Sequence, residues 1–411
     1  MGTLGRERES SWVGLLALFS IAGLVEAGFW NQLNVFTPLY LPQIGVRPED
    51  VPQWTGALAS IAGLIGLPFL PFWGALADRY ARQPVIVRSF VAHLLSGVLA
   101  LLAGNIWVYL IARSVQSFSL GNSGLMMTTL SERTPQGKIG LAFGIMNGSS
   151  PLGAFLGPLA GGPVVDRWGF PVLLAINIVL LAGITLAMAL GYKDNYRGTA
   201  RGSLASMAFD SVGIIWRSRR LRALFPALFL LFSGWMLAFA YVSLVVKEIY
   251  HGPDVGTATG IVAGVGGLVT LVVSPAIGAL ADRIGHWRML FISSILTVLL
   301  WPLPIFTSDL TGFIVAWAAI NGVSSGVFAL SFSVMANSAP SDVRGRVMSF
   351  AYLPANAAII LGSAVGSVVT RGGVFGIFPV AAVLTAAGVL ALLVAARQPD
   401  TAQQAAPALT A

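Results

Sequence analysis

The chain of 411 residues has no cysteine, three histidines and only 10% charged residues. Each shortage excludes something. Without cysteine there is no disulfide, no thiol nucleophile and no thiolate metal site. Soluble domains carry roughly 25% charged residues. Here 56% of residues are hydrophobic and the mean hydropathy is +0.81, which rules out a soluble enzyme, a coiled coil and a disordered chain. No Gly-x-x-x-x-Gly-Lys-Ser/Thr loop is present to bind a nucleotide. No metal cluster or nucleophile–base pair stands in the apolar runs, so neither catalysis nor a cofactor is expected. The net charge of +8 does not mark a nucleic-acid protein, because the basic residues lie between apolar runs rather than in one stripe. Ahead of the first run stand Arg6, Glu7, Arg8 and Glu9. No small-residue cleavage signature closes a short apolar core there, so the run reads as a retained span.

What is abundant is long apolar sequence, with 47 glycines and 22 prolines, as suits helices that pack closely or bend in a bilayer. Apolar stretches fall near 12–38, 53–77, 84–104, 106–130, 137–163, 170–191, 222–247, 256–281, 287–306, 309–336, 345–370 and 373–396. They lack the alternation of a membrane barrel, and backbone groups in lipid must be satisfied within the segment. The expectation is an all-α integral membrane protein of twelve transmembrane helices. With the N-terminus inside, the inner segments hold nineteen Lys and Arg and the outer segments four. The positive-inside bias then puts both termini in the cytoplasm of a cell (plasma) membrane.

The longest loop, 192–221, divides the chain into bundles at 1–191 and 222–411. Within the loop Leu204, Met207, Ala208, Val212 and Ile215 recur at helical spacing, and Arg217, Arg219 and Arg220 follow. This reads as an interfacial helix tethering two halves on an anionic leaflet, or as a lipid-sensing element. The halves are related by duplication. Gly74-Ala75-Leu76-Ala77-Asp78-Arg79 recurs as Gly278-Ala279-Leu280-Ala281-Asp282-Arg283, and the same offset pairs Thr55-Gly56 with Thr259-Gly260. Two parallel six-helix repeats suit a carrier whose substrate site lies between them near the midplane.

On these residues the chain resembles the major facilitator superfamily over all twelve helices. Gly74 to Arg82 resembles its loop signature between spans 2 and 3, with Ala81 and Gln83 as departures. The resemblance implies a conformational latch at the inner mouth made by Gly74, Asp78, Arg79 and Arg82, with Asp282 and Arg283 as a weaker counterpart. A local basic turn is the other reading. In span 5, Gly153, Gly157, Pro158, Gly161 and Gly162 resemble the antiporter motif of drug/proton exporters. Glycines four apart also let a neighbouring helix approach, so plain packing is the alternative. Arg113-x-x-Gln116 resembles an Arg-x-x-Gln-Gly element of proton-coupled exporters, with Ser117 in the glycine position.

Ionisable residues inside the bilayer are costly and therefore candidate functional groups. Glu26 in span 1 and Arg113 in span 4 stand out. One reading makes Glu26 the proton carrier, tuned by a nearby Arg113; another makes it the site for a cationic substrate; a static polar contact between spans 1 and 4 is the third. Asn31, Gln32 and Asn34 extend a polar sector on span 1. Trp235, Met236, Phe239 and Tyr241 on span 7 offer an opposing aromatic wall. Candidate substrate contacts are thus Glu26, Asn31, Asn34, Gln116, Trp235 and Tyr241. His93 in span 3 reads as a structural histidine, and Asp166 with Arg167 as a solvated surface pair. The functional expectation is a monomeric multidrug exporter taking small amphipathic or cationic molecules out in exchange for protons. Its competitors are an exporter of one metabolite or sugar and a non-transporting receptor of the same fold.

Overall fold

The computed structural model describes residues 11–69, 72–73, 76, 79–194, 213, 215–339, 347–348 and 350–399. Span 1 is Trp12–Tyr40, started by the Ser11 hydroxyl accepting from the Gly14 amide. Span 2 runs Val51–Gly66 and tightens into a 3-10 turn at Leu67–Phe69. Span 3 is Arg82–Leu101, span 5 Ile139–Trp168 and span 6 Phe170–Gly191. The second half follows with span 7 at Arg219–Ile249, span 8 at Val255–Ile284 and span 9 at His286–Leu300. Spans 10, 11 and 12 are Leu310–Ser338, Leu353–Val369 and Ile377–Ala396. Ten of the twelve are continuous helical runs long and apolar enough to cross a bilayer. No strand occurs among the described residues.

Span 4 differs from expectation. It consists of two helices, Ile106–Gln116 and Asn122–Arg133, joined by a 3-10 turn at Ser117–Ser119. The restart falls on Gly121, whose φ of +97° favours glycine. A break in lipid frees carbonyls that need donors, and Arg88 supplies them. Its guanidinium donates to the Phe118 carbonyl and, at 2.8 Å, to the Leu120 carbonyl, while lying 3.4 Å from the Trp73 ring centroid. Arg88 is therefore a partly buried residue of span 3. Ser117 is accommodated because Gly66 of span 2 leaves room: a Cβ there would lie 2.5 Å from that of Ser117.

Large apolar side chains face outward along every bundle, among them Val179 at 71% and Val383 at 67% exposure. Patches of that kind are tolerated only against lipid or a partner. The buried apolar residues form four clusters, two per half. In the first half, one cluster holds Phe19, Ala22, Phe90 and Met126, the other Phe29, Leu33, Ala100 and Ala112. Span 1 passes from the first cluster to the second between Ala22 and Phe29, and span 3 does so between Phe90 and Ala100. That gap near the midplane holds Glu26 and His93. Of the linker, Ile215 packs into the second half's core with Leu221 and Leu224; Leu204, Met207, Ala208 and Val212 lie outside the described residues.

The four motif glycines and the proline of span 5 are contact points. A Cβ on Gly153 would meet the Leu24 carbonyl, and one on Gly157 would lie 2.7 Å from the Gly28 Cα. Gly161 leaves room for Gln32 and Phe36. Gly162 faces span 8 instead, where a Cβ would lie 2.5 Å from the Gly256 carbonyl oxygen, and Gly260 packs on the Pro158 carbonyl. Span 5 thus touches span 1 with one face and span 8 with another, backbone against backbone.

The spans 5 and 8 part toward the other end. A Cβ on Gly148 would lie 4.0 Å from the Leu271 Cδ1, but one on Gly144, on the same face one turn along, or on Gly278, seven residues beyond Leu271, would meet nothing within 4 Å. With inner and outer named by the basic-residue count, spans 5 and 8 are closed against each other at the outer end and stand apart at the inner end, among the described residues. Asp166 at the outer end of span 5 reinforces the closure. Its Oδ1 accepts from the Gly256 amide at 2.7 Å, and its Oδ2 from the Thr257 amide and hydroxyl at 2.6 Å each. This caps span 8 across the half-interface, with a carboxylate at the positive end of a helix. The expected solvated Asp166–Arg167 pair is corrected accordingly.

Gly260→Val is expected to force spans 5 and 8 apart at the outer end. Overpacking of about 1–3 kcal/mol shifts a two-state balance by about 5- to 150-fold. Spin labels on cysteines introduced at Arg47 and Lys247, in a chain with no native cysteine, should report a longer distance than in the parent. An unchanged distance distribution would contradict the closure described.

Candidate transport site

Glu26 sits midway along span 1 with 19% of its side chain exposed. Its partners are not the ones expected. Oε1 lies 3.0 Å from Nε2 of His93 in span 3, and Oε2 accepts from the Asn122 side-chain amide at 2.8 Å. Asn122 is the first residue after the restart of span 4 at Gly121, so the break in that span points this amide at span 1. His93 is 2% exposed and stands edge-on to Phe29. Its Nδ1 has no partner among the described residues, so a proton on Nε2 faces Glu26 without stranding a second donor. His93, read from sequence as a hydrogen-bonded structural histidine, is the direct neighbour of the only acidic side chain in mid-span among the described residues.

Arg113 has separate partners. Its Nη1 donates to Gln116 Oε1 at 2.7 Å and its Nη2 to Asn34 Oδ1 at 2.8 Å. No ion pair joins it to Glu26 or to any other carboxylate among the described residues. The proximity of Arg113 to Glu26 inferred from sequence is corrected, because the guanidinium joins span 1 eight residues further on, about 12 Å along a helix. Asn34 also donates to the Trp30 carbonyl at 2.7 Å, and Asn31 to the Ala27 carbonyl at 2.8 Å. Gln32 points away, donating to Gly157 at 2.6 Å and accepting from Asn177 at 2.6 Å. It ties spans 1, 5 and 6 together.

In the second half, Trp235 donates to Asn321 Oδ1 at 3.3 Å. From it an aromatic series runs inward over spans 10 and 11: Phe328 at 6.2 Å, Phe332 at 5.0 Å from Phe328, and Tyr352 at 4.8 Å from Phe332. Tyr352 is 48% exposed. The sequence carried a signal for this wall in Phe328 and Phe332, which are four apart and share a helix face. Tyr241 is not part of it. Fully buried, it donates to the Ser363 carbonyl at 3.2 Å and fills the space that Gly56 leaves in span 2, so it seals the outer closure. Phe239 stacks on Trp30 across the halves at 5.6 Å.

Of the expected inner latch, Gly74 and Asp78 lie outside the described residues. Arg82 forks onto Glu132 at 2.6 and 2.8 Å, within the first half. Arg79 lies 5.5 Å from the Tyr80 ring centroid. Asp282 is 3.3 Å from His286, and Arg283 is exposed.

A double-mutant cycle tests the partner assignment. Glu26→Gln with His93→Leu should show a coupling of about 0.5–3 kcal/mol in detergent thermal stability. Glu26→Gln with Arg113→Gln should be additive within about 0.5 kcal/mol. The reverse ranking would return Arg113 to the side of Glu26.

Comparison with known proteins agrees with this architecture. The family model described as Major Facilitator Superfamily matches residues 18–300 and again 256–410. The multidrug resistance protein MdtG of Salmonella arizonae is 27% identical over 292 residues, covering 71% of this chain and 72% of the relative. MdtG of Klebsiella pneumoniae is 26% identical, with 71% of each chain covered. The crystal structure of the nucleoside transporter NupG superposes with a TM-score of 0.75 at 14% identity, over 94% of this chain and all of that one. Twelve helices in two repeats, a polar gap at the midplane and a family match reaching from the first span past the last place this chain in the Major Facilitator Superfamily.

Proposed function

We propose that this transporter exports small amphipathic molecules from the cytoplasm in exchange for protons, by alternating access, as a multidrug efflux carrier of the inner membrane. The observation that supports it most directly is the placing of Glu26. A carboxylate in mid-span, partly exposed, held by one histidine and one amide, is a group that can be loaded and unloaded as access alternates. The relatives named as multidrug resistance proteins support efflux. The open inner end fits loading from the cytoplasm, given termini on that side. The bundles 1–191 and 222–411 are the proposed moving units, and 192–221 is their tether. One chain suffices, since the pathway lies between its own halves.

Glu26 carries the proton in this proposal, and the inner-loop cluster of Gly74, Asp78, Arg79, Arg82, Asp282 and Arg283 acts as the latch of the outward-open state. The motif glycines of span 5 serve as the pivot surface. The aromatic wall on spans 7, 10 and 11 receives flat apolar cargo by stacking. No chemistry on the cargo is involved. A membrane potential of about 150 mV is worth about 3.4 kcal/mol per charge, or two to three decades of gradient at about 1.4 kcal/mol each. For a cationic cargo the described spans offer only Glu26, both of whose oxygens are already engaged.

Proteoliposomes with an imposed pH gradient provide the test, using a panel of amphipathic dyes of positive, negative and zero charge, ethidium among them, with an internal pH reporter. Native protein should move at least one dye against its gradient with opposite proton flux. Glu26→Gln should lose gradient-driven flux by 100-fold or more (about 2.7 kcal/mol) and keep dye exchange down its own gradient. Dye movement with no proton flux in native protein would refute exchange.

A further inference from the structure

Arg113 presents an electrostatic imbalance. It is 6% exposed, in the outer half of a transmembrane span, and only two neutral amides accept from it. Its Nε–H has no partner, and neither has the side-chain amide nitrogen of Gln116, itself 6% exposed. A buried charge needs a counter-charge or a full set of acceptors, and Arg113, unlike Arg88, has neither; two adjacent donors without acceptors cost more still. The side chain borders a small cavity between the halves, lined by Asn34, Thr37, Thr55, Leu58 and Ala240. No carboxylate lines it. Glu26 is committed to His93 and Asn122, two turns inward on span 1.

From this we infer that Arg113 and Gln116 form a subsite for an oxyanion carried by the cargo, a carboxylate at the end of an apolar, ring-bearing frame. The inference rests on the exporter reading above and names its cargo class. Guanidinium matches carboxylate by paired N–H donors; here Nε–H and the Gln116 amide supply donors that nothing in the protein uses. Trp30, stacked on Phe239 one turn inward of Asn34, stands between the inner opening and the subsite. The charged end enters as that stack parts, while the ring frame lies toward Trp235, Phe328 and Phe332. A negative cargo also suits the energetics: the inside-negative potential drives it outward, and the entering proton moves charge in the same electrical sense.

The test is equilibrium binding to purified protein in detergent at pH 7, with no gradient. Radiolabelled 1-naphthylacetate is displaced by itself, by 1-naphthylacetamide and by 1-naphthylmethylamine. Native protein should hold the carboxylate at least tenfold tighter than the amide or the amine. Arg113→Gln should abolish that preference. Asn34→Asp is the sharper variant, because it keeps Arg113 and supplies an internal counter-charge at the position of Oδ1. It should fold at least as stably as the parent and still lose the carboxylate preference by tenfold or more. Equal affinities in native protein, no binding of any of the three by folded protein, or a preference undiminished in Asn34→Asp would each overturn the subsite. Because binding is read without protons or flux, its failure leaves proton exchange standing, and loss of exchange leaves this result readable.

Discussion

Span 5 lies against span 1 and span 8 with backbone touching backbone, and the rest of the molecule is arranged around that contact. Gly157 meets Gly28, and Gly162 meets Gly256, at separations no side chain would permit. In lipid there is no hydrophobic drive between helices, so close approach of small residues supplies much of the association. The contact holds the outer ends of the two halves together. It also fixes the rotation of span 1, with Gln32 bonded to the Gly157 carbonyl as a lock. Once that rotation is set, Glu26 faces span 3 and the restart of span 4, while Asn34 faces Arg113. One packing surface thereby determines both the conformational state and the address of each charge.

Glu26 and His93 occupy the gap between the two apolar clusters of the first half. Such a gap would be a flaw in a soluble core, because unsatisfied polar groups are expensive away from water. Three of the unpartnered buried side-chain atoms, the His93 Nδ1, the Arg113 Nε and the Gln116 amide nitrogen, lie beside the candidate site. Arg88 shows the contrasting case. It is buried in part, yet it is consumed by the carbonyls that the break in span 4 releases. The same residue type is structural in one place and unsatisfied in another, and hydrogen-bond accounting separates them.

Much of this was legible in the sequence because the bilayer leaves few options. Apolar runs of about 20 residues must be helices, and the repeat of Gly74–Arg79 at Gly278–Arg283 gave the two halves. Glu26 and Arg113 were visible as charges where charge is costly. Their partners were not, because a partner depends on the relative rotation of spans far apart in sequence. His93 lies 67 residues from Glu26, and Asn122 lies 96 away. The break in span 4 was hidden because Ser117 to Gly121 reads as ordinary small and apolar helix sequence, and its meaning appears only once Arg88 reaches the freed carbonyls. Asp166 was misjudged for a related reason: beside Arg167 it reads as a surface pair, and only closure of the halves brings the Gly256 and Thr257 amides to it. Tyr241 shared a helix with Trp235, but six residues place it on a different face and a turn and a half further out, inside the seal.

The separation of Glu26 from Arg113 bears on how exchange would be coupled. Were they an ion pair, proton and cargo would compete at one spot, and a bound cargo would displace a proton directly. With distinct partners about 12 Å apart along span 1, direct competition is not available. Coupling must then pass through span 1 as a rigid element, since a ligand shifts an equilibrium only by its differential affinity for the two states. Glu26 reports on spans 3 and 4 of its own half, through His93 and Asn122. The Arg113 end reports on span 7 of the other half, through the cavity bordered by Ala240 and the stack of Trp30 on Phe239. In the proposed exchange a proton would change how span 1 sits within its bundle, and cargo would change how the bundle sits against its partner. The span-5 glycine surface, where one helix lies on another with few side chains to unlock, is where the first change would become the second.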